Sequence, residues 1–426
     1  MMPTRRSPTG SIVPTPEAHE MSQRPTQAVI LAGGRGTRLR PLTDMRPKPM
    51  IEIHGKPFLE YVVEMLRDQG LERILLLLGH LPDVVRDHFG DGGRWGVEIT
   101  YSVTGPDDLT GHRLKVARPL LDSHFLLLYC DNYWPLRMDD MWRHFVAHGV
   151  PALVTVYSNT DGYSRDCVEL GPDGAVLRFD RSRRAPRLKG VEISYAIVSR
   201  DVLDLLPAED VLFEEAVYPA LAERGALAAY VTHHRYYSIG SHERLPLTER
   251  FLARRPTVIL DRDGVLNKKA PKAHYVRSWS EFDWLPGARD ALRVLRELGY
   301  RVIVVTNQAG IARGALTEED LLAIHARMQD EAAAAGGGID AIYWCPHGWD
   351  EGCECRKPAP GLLFRAQREH DLDLSRTLVV GDDERDAQAA EAAGCPWQLV
   401  TAERSLLDVV GELGANTRAK GTNGRP

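Results

Sequence analysis

Asp261 and Asp263 stand two residues apart in TVILDRDGVLN, directly after a run of β-branched and aliphatic side chains. A buried strand that breaks into such a loop carries polar groups to the carboxyl edge of an α/β sheet, so both carboxylates can converge on one point. One can attack phosphorus while the other moves a proton. Three further elements follow in the order a phosphoryl-transfer site needs. Thr306 and Asn307 end RVIVVTN and can donate hydrogen bonds to phosphoryl oxygens. Lys357 can neutralise charge that develops in the transition state. Asp382, near the end of TLVVGDD, can hold Mg²⁺ together with Asp261.

A second set has metal-ligand spacing. Cys345, His347, Cys353 and Cys355 form a C-x-H-x5-C-x-C pattern, enough for a tetrahedral Zn²⁺ with three thiolates and one imidazole. Four protein ligands close the coordination shell, so this zinc is expected to be structural, pinning the loop that presents Arg356 and Lys357. The alternative is a group of unmetallated cysteines beside a surface histidine. A third set lies far upstream, in LAGGRGTRLRPLTDMRPKPM. Gly33, Gly34 and Gly36 follow a strand and let backbone amides approach a triphosphate, while Arg38 and Lys48 supply cationic donors.

These groups need two scaffolds. At 426 residues the chain exceeds one ordinary core and fits two domains. From Gln27 short apolar runs alternate with amphipathic helices, including 57–69 with Phe58, Val62, Met65 and Leu66 on one face and Gly70 as terminator. RILLLLG and FLLLYCD read as buried strands, which predicts a mostly parallel sheet covered by helices. Between Val154 and Arg200 the pattern turns strand-like around Gly171-Pro172-Asp173-Gly174, a hairpin turn on the substrate side. A second α/β series starts at Thr257, and Thr317 with Asp320 is placed to cap a helix. The expected organisation is a tail over 1–25, a domain over 26–245, a linker over 246–256, a second domain over 257–411 and a tail over 412–426. The fold class is α/β, with two Rossmann-like three-layer domains, the first a mixed sheet and the second a parallel sheet with a zinc loop.

The balance of 53 Lys and Arg against 59 Asp and Glu creates no long-range field for nucleic acid or an anionic membrane. Arg5 and Arg6 are not followed by an apolar segment, so neither a secretory nor a twin-arginine signal is expected. The expected location is the cytoplasm. Oligomeric state is not legible.

The ordered set Asp261, Asp263, Thr306, Lys357 and Asp382 resembles the haloacid dehalogenase superfamily of phosphatases over 257–400. That resemblance implies Asp261 as the nucleophile of an aspartyl-phosphate and Asp263 as general acid, then base. It also implies Mg²⁺ on the Asp261 carboxylate, the Asp263 carbonyl and Asp382. Helix and strand follow Asp263 without a long excursion, so no inserted cap domain is expected. With NQAGIARG and CPHGWDEGCECRKP the domain is similar to D-glycero-D-manno-heptose 1,7-bisphosphate phosphatases, and histidinol-phosphate phosphatases share much of the pattern. Asn307, Arg313, Arg356 and Lys357 are candidates for phosphate and sugar contacts. Asp383 departs from relatives and would add negative charge beside the metal, where Asp386 is an alternative partner.

The upstream run, with PKPM about ten residues on, resembles the sugar-phosphate nucleotidyltransferases from Gln27 to about Arg250. By that resemblance Asp131 would bind Mg²⁺, and Asp180 and Arg181 would occupy the acidic and basic places of a sugar-phosphate motif. The substrates implied are a sugar phosphate and a nucleoside triphosphate, with GDP-type activation first and ADP-type next. Departures occur at Cys130, at Ser238 in place of a second metal carboxylate, at Ser194 in VEISYAIVS, and at LTGHRL. They leave two readings, an active transferase or a domain that only senses a nucleotide sugar.

Overall fold

A computed structural model describes residues 24–422, with side chains through 415. The chain divides into two compact units. One runs to His233 and adds Ser238–His242; the other comprises His234–Tyr237 and residues from Glu243 onward.

The first unit is built on seven strands: β1 (Gln27–Ala32), β2 (Arg73–Leu78), β3 (Glu98–Val103), β4 (His124–Tyr129), β5 (Ala152–Tyr157), β8 (Val191–Ser199) and β9 (Leu227–Thr232). The short strands β6 (Val168–Leu170) and β7 (Val176–Phe179) form a separate hairpin. Sheet order is β9-β5-β8-β4-β1-β2-β3. β8 alone runs antiparallel to both neighbours, which makes the sheet mixed. Every residue of β1 is buried, because helices lie on both faces. The helix Phe58–Asp68 (α1) buries Phe58, Val62, Met65 and Leu66 as its periodicity predicts, and Gly70 follows at φ +72°. The Gly171–Gly174 turn closes the β6–β7 hairpin through Gly171 N donating to Ala175 O at 2.9 Å.

The second unit carries β10 (Thr257–Leu260), β11 (Arg301–Asn307), β12 (Ala341–Cys345), β13 (Leu378–Gly381) and β14 (Trp397–Leu399), all parallel, in the order β12-β11-β10-β13-β14. The pleat sends alternate residues to opposite cores. Val258, Leu260, Val302 and Val304 pack with Leu292 and Leu295 of α2 (Ala288–Glu297) and with Ile324 and Met328 of α3 (Glu318–Ala334). Ile259, Ile303 and Val305 pack on the other side with α4 (Gly361–His370) and α5 (Glu384–Ala393). Thr317 and Asp320 form the expected capping box on α3.

Two expectations about the chain's organisation differ from what is seen. The segment expected as a linker holds all but the first residue of the helix Leu245–Leu252, whose Phe251 and Leu252 are buried within the second unit. A final helix, Leu406–Thr422, continues into the region expected as a tail, and Leu406, Val409 and Val410 anchor its start in the core. The N-terminal tail lies outside the described residues except for its last two. No described helix is long and apolar enough to cross a membrane.

Candidate active sites

In the second unit, the carboxyl ends of β10, β11 and β13 meet over one buried cation. Lys357 is 6 % exposed, and its Nζ lies 2.8 Å from Asp261 Oδ1, 2.5 Å from Asp386 Oδ1 and 2.8 Å from the carbonyl of Val305. Burial opposes its charge, yet the two carboxylates outweigh burial and raise its pKa. Burial pushes Asp261 up to about 6, against the pull of Lys357. Asp386 is 2 % exposed and accepts from the backbone N–H groups of Asp382 and Asp383, each at 3.2 Å. Asp386 thus belongs to the site from beneath: it fixes both the lysine and the turn that presents Asp382.

Asp383 is engaged by the start of its own helix. Its carboxylate caps α5, accepting from Arg385 N at 3.1 Å, and pairs with the Arg385 guanidinium at 2.8 and 2.9 Å. Its charge is therefore held by a helix N-terminus and a cation.

Asp261, Asp382 and Asp386 each offer a carboxylate oxygen within 4.8 Å of one another. Oδ1 of Asp382 is buried without a hydrogen-bond donor among the described residues. An orphaned anionic oxygen in an oxygen-rich cluster is what a hard divalent cation satisfies, so the residues fit Mg²⁺. Gly264, at φ +98°, is required here, since a Cβ there would lie 2.2 Å from Asp382 Oδ2.

Asp263 accepts hydrogen bonds from Arg262 at 2.9 to 3.2 Å, from Asn267 at 3.0 Å and from Gln308 at 2.8 Å. Burial would raise its pKa, but Arg262 and these donors lower it overall. Gln308 also donates to Thr306 Oγ1 at 2.9 Å, linking the two polar groups. Asn307 serves the backbone: its side chain donates to Lys357 O at 3.0 Å and accepts from Lys357 N at 3.1 Å, clamping the lysine's main chain. A cavity of about 440 Å³ opens beside these groups, lined by Asp263, Asn307, Arg356, Lys269, Lys272 and Arg385 among others. The Arg313 guanidinium lies 3.7 Å above the Trp349 ring, and Trp349 borders this cavity. Of these cationic groups, Arg356 and Arg313 were legible in the sequence; the others come from a loop and a helix whose approach only the fold sets.

The four zinc candidates converge. His347 Nδ1 is 3.2 Å from Cys355 Sγ and 3.6 Å from Cys345 Sγ, and the three sulfurs lie 3.3 to 3.6 Å apart. A tetrahedron with Zn–S bonds of about 2.3 Å has edges of roughly 3.8 Å, so the donor set fits zinc with slight expansion. Cys345 ends β12 opposite Asn307, which ties the zinc loop to the clamp on Lys357. Purified without chelators, the protein should carry close to one zinc per chain by elemental analysis. Cys353→Ser should lose that zinc and cut phosphatase turnover at least as far as the roughly 10–100-fold typical of losing an outer-shell partner.

In the first unit, Gly33, Gly34, Gly36, Arg38, Lys48 and Asp131 all line one cavity of about 330 Å³. Lys48 Nζ forms an ion pair with Asp131. Ser238 Oγ accepts from Gly240 N at 2.9 Å, and Ile239 N donates to the Asp131 carbonyl at 3.0 Å, which seats the serine beside the aspartate. Burial, reinforced by Asp131, pushes the Cys130 thiol up to about 12. Asp131 offers a carboxylate in this cavity, which Asp108 also lines, and fits Mg²⁺ shared with a nucleotide's phosphates.

Arg181 and Asp180 do not themselves line this cavity. Arg181 pairs with Glu214 and, at 3.4 Å, with Glu215. Glu214 in turn accepts from Thr110 Oγ1 at 3.2 Å and from Tyr129 OH, and both donors line the cavity. Asp180 accepts from Ser182, Ala185 and Arg184, which hold its pKa well below the usual carboxylate range while it closes its own turn. Ser194 sits at φ +68°, a conformation that asparagine adopts more readily.

A family model described as nucleotidyl transferase matches residues 27–180, and one described as haloacid dehalogenase-like hydrolase matches residues 198–394. The D-glycero-beta-D-manno-heptose-1,7-bisphosphate 7-phosphatase of Bordetella bronchiseptica is 43% identical over 162 residues, 38% of this chain and 89% of the relative. A D-glycero-alpha-D-manno-heptose-1,7-bisphosphate 7-phosphatase of Mycobacterium bovis is 41% identical over 144 residues, 32% of this chain and 75% of the relative. A solved structure of HddC from Yersinia pseudotuberculosis, complexed with GMP-PN, is 25% identical and covers 53% of this chain and 99% of its own, with a TM-score of 0.45. The chain belongs to the haloacid dehalogenase-like hydrolases, the family of these phosphatases, and carries a nucleotidyl transferase unit ahead of that domain on the same polypeptide.

Proposed function

We propose that the second unit removes the 7-phosphate of D-glycero-D-manno-heptose 1,7-bisphosphate and that the first unit joins the resulting heptose 1-phosphate to a nucleotide, in the cytoplasm. The observation that carries the phosphatase half is the buried Lys357 held between Asp261 and Asp386, on a domain whose relatives hydrolyse that bisphosphate. Asp261 attacks phosphorus, the bond from phosphorus to the sugar's O7 breaks, and Asp263 gives O7 its proton. Asp263 then takes a proton from water, which attacks the aspartyl-phosphate and releases phosphate with Asp261 restored. Thr306 and the Lys357 ammonium hold the phosphoryl oxygens. Asp261, Asp382 and the Asp263 carbonyl would hold Mg²⁺, which would supply charge neutralisation at phosphorus. Arg356 and Arg313 face the rest of the sugar bisphosphate.

For the first unit, the oxygen of heptose 1-phosphate attacks the α-phosphorus of the triphosphate and pyrophosphate leaves. Gly33, Gly34 and Gly36 admit the phosphates, with Arg38 and Lys48 as cationic donors and Asp131 for Mg²⁺. The resemblance of LAGGRGTRLRPLT and PKPM to mannose and heptose 1-phosphate guanylyltransferases supports GTP first and ATP next. The second reading, a domain that senses a nucleotide sugar, is favoured by Arg181 being paired with Glu214 and by Ser238 standing beside Asp131. Incubation with heptose 1-phosphate, Mg²⁺ and each NTP separates them. Pyrophosphate with GTP or ATP is the expected result. None from any NTP, together with a nucleotide-dependent phosphatase rate, would establish the sensor.

A further inference from the structure

We propose that Arg113 is a built-in counter-cation for the nucleotide's polyphosphate, seated beneath the glycine turn; this rests on the nucleotidyl-transfer reading of that cavity. Arg113 belongs to the LTGHRL segment, on the helix Thr110–Ala117, and is 3 % exposed. Nη1 donates to Leu78 O at 2.7 Å and Thr104 Oγ1 at 2.6 Å; Nη2 donates to Gly105 O at 2.8 Å and Gly33 O at 3.3 Å. All four acceptors are neutral, and no carboxylate pairs directly with the guanidinium among the described residues. The acidic groups that influence it, Asp108 and Asp210, accept from the backbone N–H groups of Gly105 at 2.6 Å and Leu109 at 2.9 Å.

The surrounding chain is shaped to admit this guanidinium. A Cβ on Gly33 would lie 2.2 Å from Arg113 Cζ, and one on Gly79 would lie 2.5 Å from Nη1. Gly33 therefore serves the cation below the turn as well as the phosphates above it. Its carbonyl accepts from Arg113 and from His80 N at 3.0 Å. In a trans peptide the next N–H points the opposite way, so the Gly34 amide faces away from Arg113. A buried cation without an anionic partner is costly, and a low-dielectric wall transmits its field to a ligand with little screening. Arg113 also lines the cavity that contains Lys48 and Asp131.

The test is a binding titration of the full chain with GTP, GDP, GMP and guanosine, and with the adenine series, with and without Mg²⁺. Wild type, Arg113→Gln and Arg113→Lys are compared after thermal melts establish that each is folded. Gln keeps donors for the carbonyls without the charge; Lys keeps the charge without the fork. The expected result is that Gln weakens the triphosphate about tenfold and the monophosphate about threefold, leaving the nucleoside unchanged, while Lys retains the phosphate dependence. Equal losses for all four ligands in Gln, or a Lys variant worse than Gln, would reduce Arg113 to a prop for the turn and overturn the inference. A wild-type chain that binds no nucleotide is a different failure, that of the transferase reading itself, and the inference falls with it.

Discussion

Asp261→Asn should reduce phosphate release from a sugar bisphosphate by roughly 10⁴-fold or more, the scale of loss when a covalent nucleophile is removed. The side chain keeps its shape, and Lys357 keeps its 2.5 Å contact with Asp386. A thermal melt within a few degrees of wild type is therefore expected, alongside unchanged nucleotidyl transfer to heptose 1-phosphate. Asp261 stands at the end of a strand buried on both faces, so its position is set by the sheet and survives loss of charge. Measured turnover near wild type would remove Asp261 as the nucleophile.

Lys357→Met should harm both stability and rate. Asp261 and Asp386 would be left as buried carboxylates without the cation between them, and breaking such a pair costs about 3–5 kcal/mol. Loss of a preorganised cation at the phosphoryl group should lower kcat by roughly 10²–10³. The two effects can be separated by a second change. Lys357→Met with Asp386→Asn removes the inner buried charge, so most of the lost stability should return in a denaturant titration while kcat stays low. A double variant no more stable than the single would mean that Asp386 is not held by the lysine.

Much of this site could be read from the chain because its strands carry consecutive apolar residues on both faces and end abruptly in polar groups. TVIL and RVIVVTN are buried on both faces, so their termini had to lie at one edge, with Asp261, Asp263 and Thr306 beside each other. The Thr317 capping box and the Gly70 terminator were similarly local. What stayed hidden depends on approach between distant segments. Asp383 and Asp386 are both acidic and three residues apart; which one turns inward is decided by α5, whose N-terminus takes Asp383 and whose first turn aims Asp386 at Lys357. Asn307 ends a strand as expected, but its amide meets the Lys357 backbone fifty residues on. Gly264 looks like any turn glycine until Asp382 is placed against it. In the first unit the glycine turn was legible because it is contiguous. The partner of Arg181 was not, because Glu214 arrives from a later helix.

One polypeptide is expected to perform two consecutive steps on one sugar. The direct measurement supplies D-glycero-D-manno-heptose 1,7-bisphosphate, Mg²⁺ and GTP, with ATP in parallel, to the intact chain and follows phosphate, pyrophosphate and nucleotide-activated heptose together. Phosphate should appear first, then pyrophosphate and the activated heptose in equal amounts. With Asp261→Asn, activated heptose should form from heptose 1-phosphate but not from the bisphosphate. Release of phosphate with no activated heptose from either nucleotide, even when heptose 1-phosphate is supplied, would contradict the two-step assignment.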